Sequence, residues 1–389
     1  MRNPIDLPLT PPPDTSRVGP FREGFFRSPV HRPRTAAVVG RALGLALLVC
    51  LVTGVFSHFV QHPPGGQAWP SRPVQLYRVT QGLHVAAGIA VIPLLLAKLW
   101  VVYPRLFGWP PFRTVRDVAE RLSVLVLIGA ASFEVVSGLL NTLQWYPWAF
   151  FFPAAHYEVA WLLLGAVLLH LAVKWPVIAA ALGRHRAAEP REDALSRRRF
   201  LWGVTGAVGA VTVATVGQTV APLERLAVLA PRRPSVGPQG LPVNRTSRQA
   251  HVERAALDPG WRLEVRGPRP ASLTLEELRA LPQHAATLPI ACVEGWSASG
   301  RWSGVRLRDL LELVGAPAGA EVRAVSLERE GNYRESLVQR HHAADPLTLV
   351  ALDLEGEPLH LEHGFPARLI APNRPGVLQT KWLARLEVL

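Results

Sequence analysis

Residues 288–302 read LPIACVEGWSASGRW and contain Cys292, one of only two cysteines in a chain of 389 residues. Apolar residues precede Cys292, and a Glu-Gly-Trp-Ser run follows it. A free cysteine is most often a small buried hydrophobe. A cysteine thiolate is also a soft ligand for a redox metal, and the neighbouring glycines permit a close approach of the backbone. The stretch therefore allows two interpretations of Cys292, a buried thiol and a metal ligand.

The other cysteine, Cys50, lies in the first apolar segment of the chain, far from Cys292 in sequence. We expect no disulfide bond between two cysteines in such different surroundings. The sequence has no CxxCH motif and no cluster of four cysteines. This excludes covalently attached haem c and iron–sulfur centres.

The sequence on either side of Cys292 predicts an α+β domain with short elements. Residues 261–267, WRLEVRG, alternate as in a strand, and residues 274–281, TLEELRAL, begin with the Thr-x-x-Glu capping box of a helix. Residues 306–315, RLRDLLELVG, predict a second short helix closed by Gly315. Three further segments are predicted to be strands: EVRAVSL, LTLVALDL and ARLIAP.

Three motifs in this part of the chain carry a resemblance. They are CVEGWSASGRWSGVRLRDLL (292–311), LTLVALDLEGEPLHLEHGFPARLIAP (347–372) and GVLQTKW (376–382). Residues 240–389 resemble the sulfite-oxidase molybdopterin fold, and within it the bacterial methionine-sulfoxide reductase catalytic subunit. The resemblance implies that Cys292 is the catalytic residue and the single protein thiolate on molybdenum. It also implies contacts to Mo-molybdopterin from Asn244, Ser326, His363, Arg368, Gln379, Thr380 and Lys381.

The net charge of +13 comes from the N-terminal part of the chain. Residues 235–389 contain 18 basic and 18 acidic side chains, whereas residues 1–234 contain 24 basic and 11 acidic ones. The basic excess therefore accompanies the apolar part of the sequence. It indicates membrane topology rather than a nucleic-acid surface.

Five apolar segments precede residue 225, and each has the roughly 20 residues that are needed to cross the hydrocarbon core. They cover residues 36–60, 79–103, 118–143, 155–181 and 200–222. Residues 1–35 are rich in Pro and Arg and are expected to form a disordered cytoplasmic arm. Residues 225–260 are expected to be a linker and the start of the cofactor-binding domain.

Arginines are concentrated in the arm and in the second and fourth loops between the apolar segments. The positive-inside rule places these three regions in the cytoplasm. Because the fourth loop is cytoplasmic, the fifth helix crosses the membrane from the cytoplasm to the outside. We therefore expect a multi-pass protein of a bacterial cytoplasmic membrane, with its C-terminal domain outside the cytoplasm.

The fourth loop is expected to end in SRRRFLWG (196–203), which precedes a weakly apolar run. This pattern is similar to a twin-arginine export signal, here inside the chain. An arginine triplet that only anchors an ordinary helix by the positive-inside rule is the alternative. The export interpretation implies that the C-terminal domain acquires its cofactor before it crosses the membrane.

Four histidines lie within or at the ends of the apolar segments: His58, His84, His156 and His170. Ionisable residues in a membrane are costly and usually functional. His156 and His170 are 14 residues apart, so they share a helix face at a separation of about 21 Å. Each histidine is either a haem ligand or a hydrogen-bonded residue near the membrane surface. Glu134 is likewise a proton relay, part of a quinol site, or a structural carboxyl group.

The spacing of His156 and His170, with LHVAAG (83–88), carries a second resemblance. Residues 36–181 resemble the four-helix cytochrome b subunits of formate dehydrogenases and hydrogenases. The resemblance implies one haem b between His84 and His156, and a second haem iron at His170. We therefore expect an all-α transmembrane four-helix bundle over residues 36–183. A basic loop and a fifth anchor helix follow over residues 184–224, and then the α+β domain of residues 240–389.

Together these features predict a membrane-bound molybdopterin-dependent oxidoreductase with a fused haem b domain. The favoured reaction is the reduction of an S- or N-oxide, on a small molecule or a protein, with electrons from a quinol or another donor. One alternative is a sulfite-type dehydrogenase that passes electrons to the membrane. A second alternative is a membrane-anchored binding module without a cofactor. No nucleic-acid partner is expected.

Overall fold

The computed structural model describes residue 10 and residues 19–22, 25–65, 67–183 and 191–389. Most of the expected arm and part of the expected fourth loop lie outside these residues. The chain divides into two compact units. The first comprises the described residues of Met1–Val52 and of Val85–Ala214, and the second comprises Thr53–His84 together with Thr215–Leu389.

Five helices in the described part of the chain are long and apolar enough to cross a membrane. They are α1 (Pro33–Gln61), α2 (Leu76–Val102), α3 (Val115–Leu143), α4 (Phe152–Leu182) and α5 (Arg191–Val216). Each overlaps one of the five apolar segments of the sequence, so the prediction of five membrane-capable helices is confirmed.

The start of α5 differs from the prediction for the fourth loop. The sequence predicts that the arginine triplet ends that loop, and this prediction is wrong because α5 begins at Arg191 and contains the triplet. Arginine, alanine and leucine are good helix formers. Glu192 and Asp193 lie in the first turn, where their charges interact favourably with the helix dipole. Local helix propensity therefore extends α5 well before its apolar segment.

The second unit contains two β-sheets. Their strands are β1 (Arg262–Arg266), β2 (Ala271–Thr274), β3 (His284–Ala291), β4 (Ser297–Arg306), β5 (Val322–Ser326), β6 (Glu335–Val338), β7 (Leu349–Leu354), β8 (Glu357–Pro358), β9 (Arg368–Ile370) and β10 (Leu383–Val388). The first sheet has the order β2-β1-β10-β5-β6, in which β1 and β10 are parallel. The second sheet has the order β3-β4-β7-β8, and β9 also pairs with β7.

Four short helices accompany the sheets: α6 (Glu253–Ala256), α7 (Leu275–Ala280), α8 (Leu307–Leu313) and α9 (Arg340–Ala344). The predicted capping box of α7 is confirmed, because the Thr274 hydroxyl accepts from Glu277 N and the Glu277 carboxylate accepts from Thr274 N. The helix predicted before Gly315 is confirmed as α8, and Gly315 has φ +69°. The four predicted strands are confirmed as β1, β5, β7 and β9. The α+β architecture therefore follows the local sequence pattern.

Two apolar clusters form the core of the α+β region. One packs α7 and α8 against the first sheet around Leu263, Leu278 and Leu310, which are fully buried. The other surrounds β3 and β4 and includes Cys292, Trp296 and Trp302. Part of the expected linker also belongs to the core, because Val252 and Ala256 pack with Trp382. The Cys292 turn thus lies in the interior of the domain and not in a surface loop.

Candidate functional site

A tight turn between β3 and β4 holds Cys292. The Cys292 amide donates to the Trp296 carbonyl at 2.9 Å, and the Gly295 amide donates to the Cys292 carbonyl at 3.1 Å. Gly295 has φ +93°, a left-handed conformation that glycine adopts without strain. Cys292 is only 1% exposed. The backbone of the turn therefore fixes the thiol in a buried position.

The surroundings of Cys292 oppose a free thiolate. Burial raises the pKa of the Cys292 thiol well above its usual value, and the nearby Glu294 carboxylate raises it further. Glu294 is itself buried and accepts a hydrogen bond from Trp296 Nε1 at 3.0 Å. A metal ligand must be the thiolate, so a bound cation is needed to offset both effects.

A second segment passes close beside the start of the Cys292 turn. Pro375 forms a parallel bridge with Ala291. A Cβ atom on Gly376 would lie 3.1 Å from the Ala291 carbonyl oxygen. The Gln379 side chain accepts from Ala371 N at 3.1 Å, which anchors this segment to the strand region that follows β9. These contacts place the segment that contains Gln379 beside the end of β3, directly before Cys292.

Arg368, at the start of β9, is buried and bonds only to carbonyl oxygens in the described structure. Its Nη1 donates to His363 O at 3.0 Å, and its Nη2 donates to Gln379 O at 3.2 Å. The guanidinium lies 4.9 Å from the Trp302 ring centroid, and its Nε has no hydrogen-bond partner. Burial lowers the pKa of Arg368 to about 9. This cation has unused donor capacity and no carboxylate ion pair among the described residues.

Lys381 lies beside Arg368. Its Nζ donates to Arg245 O at 2.6 Å and to Glu362 O at 3.1 Å. The Lys381 carbonyl accepts from the Ser326 hydroxyl at 2.8 Å. Burial and, to a smaller extent, the charge of Arg368 together lower the pKa of Lys381 to about 7. Lys381 is therefore held by backbone oxygens in a region that already contains a second cation.

The remaining predicted contact residues lie near this pair. His363 Nε2 is 2.7 Å from the Pro238 carbonyl oxygen, and burial lowers the pKa of His363 to about 4. The Thr380 and Ser336 hydroxyl oxygens are 2.7 Å apart. Asn244 immediately precedes Arg245, whose carbonyl accepts from Lys381.

The structure thus brings most of the predicted residues into one region. Hydrogen bonds link Ser326 to Lys381 and link Arg368 to both His363 and Gln379. Cys292 is connected to these residues by the bridge between its neighbour Ala291 and Pro375. Asn244 and Thr380 are the chain neighbours of Arg245 and Lys381.

The donor set fits an anionic cofactor. Arg368, Lys381 and a third cation, Arg374, have lowered pKa values because burial penalises their charged forms. The Arg374 guanidinium donates to the carbonyls of Leu378 and Leu337. A phosphate group offers these cations the negative charge that carbonyl oxygens lack, and arginine binds phosphate with two parallel hydrogen bonds. The buried thiol of Cys292 is a soft ligand that suits a redox metal once it is deprotonated.

The sequence interpretation predicted no contacts in this region from Glu362 or Arg245, and none between Trp302 and Arg368. Glu362 accepts from the Ser247 amide at 2.7 Å and from the Ser247 hydroxyl at 2.8 Å, and its carbonyl accepts from Lys381. Arg245 contributes a carbonyl to Lys381, and Trp302 underlies Arg368. Glu362 adjoins the predicted His363 within the motif, so its position was a usable signal. Every residue type has a backbone carbonyl, so nothing in the sequence indicates that Arg245 contacts Lys381.

The sequence also missed a contact between the helix ends and the C-terminal domain. Thr53–His84 belongs to the same compact unit as Thr215–Leu389. Arg72 donates twice to the Asp345 carboxylate, at 3.0 and 3.1 Å. The Trp69 amide donates to Gln339 Oε1 at 2.9 Å. We call the segment Thr53–His84 the docking hairpin.

His84, in α2, fits haem ligation. The Thr53 hydroxyl lies 3.1 Å from His84 Nδ1, and metal-binding histidines are commonly held by such a second group. A Cβ atom on Gly54 would lie 3.0 Å from His84 Cε1, so glycine leaves room for the imidazole. Both contacts orient the ring of His84.

His156, in α4, fits haem ligation less directly. Its Nδ1 lies 2.9 Å from the Ser137 hydroxyl, and its Nε2 lies 3.1 Å from a Glu134 carboxylate oxygen. Iron can bind Nε2 only if the Glu134 carboxylate leaves that atom. The sequence singled out both Glu134 and His156 but did not predict their contact.

The other two histidines have weaker indications of a ligand role. His170 is half-buried in α4. The ring of His58, in α1, lies at a tilt to the ring of His62, with centroids 4.9 Å apart.

Comparisons with known proteins identify the C-terminal region. Residues 250–389 match the family model described as "Oxidoreductase molybdopterin binding domain". Cys292 and the cationic residues described above lie within the matched range. Residues 250–389 are therefore similar to molybdopterin-binding oxidoreductase domains, in agreement with the first resemblance.

Several curated proteins are similar to this chain. The putative protein-methionine-sulfoxide reductase subunit YedZ1 of Azospira oryzae is 38% identical over 33% of this chain and 48% of its own length. The uncharacterized oxidoreductase YuiH of Bacillus subtilis is 34% identical over 33% of this chain and 64% of its own length. The mitochondrial sulfite oxidase of Drosophila melanogaster is 29% identical over 36% of this chain and 29% of its own length. The chain covers less than two thirds of each of these relatives.

Proposed function

We propose that this chain is a membrane-bound molybdopterin-dependent oxidoreductase with a haem b electron-transfer region in the same polypeptide. In this proposal the C-terminal domain lies outside a bacterial cytoplasmic membrane and reduces S- or N-oxides. Electrons come from a quinol or another donor through haem b at His84 and His156. His170 is the candidate for a second haem iron.

The position of Cys292 is the observation that carries this proposal. The thiol lies on a buried turn inside the matched domain, and Glu294 and burial make a free thiolate unfavourable there. The segment bridged to Ala291 leads to Gln379 and Lys381. A thiol and an anion-binding set in this arrangement support a single cofactor that has both a metal and a phosphate.

The protein residues have distinct roles in the proposed reaction. When bound, molybdopterin supplies molybdenum that takes up or releases an oxygen atom with two electrons. Cys292 would hold the metal as a thiolate. Arg368 and Lys381 would bind the phosphate, and His363 and Ser326 would position the residues around it. The buried Cys292 turn excludes water from the thiol.

The favoured reaction balances with two electrons and two protons. An S-oxide, two electrons and two protons give the thioether and one water, and the S–O bond is the bond that breaks. The relative YedZ1, which is named a putative protein-methionine-sulfoxide reductase subunit, supports this direction for the proposal.

A second candidate runs in the opposite direction. Sulfite oxidases are among the similar proteins, which favours sulfite oxidation by this domain. In that reaction sulfite and water give sulfate, two electrons and two protons, and the electrons pass to the haem. Mixing the oxidised protein with sulfite distinguishes the two directions. Haem reduction favours dehydrogenation, whereas reoxidation of the reduced haem by an S-oxide favours reduction.

The test of the proposal is metal, pterin and pyridine-haem analysis of the detergent-purified full chain beside Cys292→Ser. We expect molybdenum, pterin and haem in the wild type. The variant is expected to keep haem and to lose activity by about a hundredfold or more, because a hydroxyl group is a poor substitute for a thiolate on the metal.

Cys50→Ser is the matched control, because Cys50 is the only other cysteine in the chain. This variant is expected to keep the metal, the haem and full activity. Folded wild-type protein without molybdenum, made in a host that synthesises the cofactor, would contradict the enzyme proposal and favour a binding module. Molybdenum without haem would contradict only the electron-transfer part.

A further inference from the structure

The docking hairpin contacts both ends of the Cys292 turn. Gln81 Nε2 donates to the Val293 carbonyl, the residue after Cys292, at 3.3 Å. Arg78 Nε donates to the Ser297 hydroxyl, at the start of β4, at 2.9 Å. Arg78 and Gln81 are three positions apart in α2, so both side chains project from one face of the helix. One helix face thus contacts both sides of the candidate metal ligand.

The same face of α2 leads to His84. Gln81 and His84 are also three residues apart, which corresponds to about 4.5 Å along a helix axis. Thr53 and Gly54 of the docking hairpin hold the His84 ring from α1. A continuous path of bonded and hydrogen-bonded atoms therefore joins the His84 region to the residue next to Cys292.

Gln81 is fixed in its position by further contacts. It is buried, and its Oε1 is 3.4 Å from the Ser57 hydroxyl, which also lies 2.9 Å from the Tyr77 hydroxyl. Tyr77 is buried as well, and its amide donates to the Asn373 side chain at 2.8 Å. These contacts hold the Gln81 amide against the Val293 carbonyl.

We infer that the docking hairpin is the electron-entry side of the molybdopterin domain, and that electrons cross between the His84 region and Cys292 through the Gln81–Val293 hydrogen bond. This inference rests on the proposed function, because it needs haem at His84 and molybdenum at Cys292. Electron tunnelling weakens steeply with distance and is stronger along bonded paths. A buried hydrogen bond next to the metal ligand is therefore the favoured crossing point.

The electron balance is that of the proposed reaction. Each reduction of an S-oxide to a thioether and water takes two electrons, so two single electrons must cross per turnover. The quinol or another donor replaces them at the haem. Gln81 gains and loses no proton, so it acts as a positioning residue for the crossing and not as a catalytic residue.

The experiment compares two electron sources in the intact, cofactor-loaded chain. In the first measurement, haem is reduced without oxygen and mixed with methyl p-tolyl sulfoxide, and haem reoxidation is followed by its absorbance. In the second, reduced benzyl viologen delivers electrons to the same protein and thioether formation is measured. As a soluble donor, viologen is expected to reduce the metal directly, without the internal path. Molybdenum, pterin and haem contents and the haem midpoint potential are measured in every sample.

Gln81→Glu is the sharpest variant, because it keeps the shape of the side chain and removes the amide donor, and Gln81→Leu is the second. Both are expected to slow haem reoxidation about tenfold or more. The viologen-driven rate and the haem potential are expected to stay at their wild-type values. Gln75→Leu is the matched control, because this exposed glutamine lies on the same hairpin and contacts Arg78 rather than Val293.

The remaining outcomes overturn the inference. Equal loss in both measurements would mean that Gln81 only supports the Cys292 turn. No loss in either would mean that electrons use another path. Arg72→Ala removes the ion pair with Asp345 and so weakens the packing of the docking hairpin on the domain. It keeps the Gln81–Val293 hydrogen bond, so it distinguishes an effect of packing from an effect of the electron path. If this variant slows haem reoxidation as much as the Gln81 variants do, docking alone explains their effect. If the wild type lacks haem or molybdenum, the rates cannot be compared. That result contradicts the proposed function and not only the electron path.

Discussion

Three cations of the C-terminal domain donate hydrogen bonds to backbone carbonyl oxygens: Arg368 and Arg374, which are buried, and Lys381, which is half-buried. A carbonyl oxygen accepts a hydrogen bond but has no full negative charge. Burial therefore outweighs these contacts, and the pKa of each cation falls. An anion bound among them would reverse this effect, because an opposite charge stabilises the protonated form.

Lys381 gives the clearest dependence on pH in the cofactor-free protein. Its pKa is lowered from 10.5 to about 7, so the unfolded chain binds the proton more tightly than the folded chain between these values. The free energy of unfolding is therefore expected to rise with pH across this window through Lys381. Below pH 7 the cost of the buried charge is fully present. Tryptophan fluorescence during urea unfolding, repeated at several pH values, measures the slope.

Lys381→Met is the control for this effect, because it removes the charge and keeps an unbranched side chain. The slope of stability against pH is expected to be smaller in Lys381→Met, while the contributions of Arg368 and Arg374 stay. Identical slopes in the two proteins would contradict the lowered pKa. Added pyrophosphate is expected to flatten the wild-type slope, because a bound anion raises the pKa of Lys381.

Among the elements of the domain, β4 connects the Cys292 turn to the core, and one glycine sets its contact with β7. Gly304 pairs with Ala351 next to a register shift at Ser303. A Cβ atom at Gly304 would overlap the Val350 carbonyl oxygen and would lie 2.7 Å from Ala351 Cα. Backbone atoms of a central strand cannot move aside as a flexible side chain can. The absence of a side chain at Gly304 therefore permits the pairing of β4 with β7.

Gly304→Ala is expected to destabilise the domain by about 3 kcal/mol or more, because it forces two strands apart. Pulse proteolysis of the full chain in increasing urea measures this loss. Gly356→Ala is the matched control: its φ is +85°, but a Cβ atom there meets no atom within 4 Å. Gly356→Ala is expected to cost about 1 kcal/mol, from backbone strain alone. Equal losses in the two variants would exclude overlap as the cause.

In the whole molecule, α5 precedes the C-terminal domain and contains the arginine triplet of residues 197–199. Two explanations of the triplet, an export signal and a cytoplasmic anchor, predict different results when its charge is kept. Replacing all three arginines by lysine preserves the positive charge that the positive-inside rule needs. It removes the arginine pair that an export signal of the twin-arginine type requires.

The triple lysine variant is therefore expected to leave the C-terminal domain in the cytoplasm. Protease treatment of spheroplasts measures this, because a domain outside the membrane is cleaved and one inside is protected. The wild type is expected to be cleaved. Single replacement of Arg191, in the same helix but outside the triplet, by lysine is the control and is expected to change nothing. Cleavage of the triple variant at the wild-type level would favour the anchor explanation.

The sequence by itself determined the elements that depend on neighbouring residues. Apolar length determined the five long helices, because a membrane-capable helix needs only an uninterrupted apolar segment. The Thr274–Glu277 capping box and the alternating pattern of residues 262–266 likewise predicted α7 and β1. The start of α5 was missed because helix propensity continued through a basic stretch that composition alone assigned to a loop.

Only the tertiary structure decided how distant residues meet. The Gln81–Val293 hydrogen bond joins residues 212 positions apart, and the Arg72–Asp345 contact joins residues 273 positions apart. The Glu134–His156 contact needs two helices packed in one register. Such contacts leave no periodic or local pattern in the sequence, because they depend on packing and on backbone carbonyls that every residue type has. The sequence therefore singled out Cys292, His84 and His156, and the fold determined which side chains surround them.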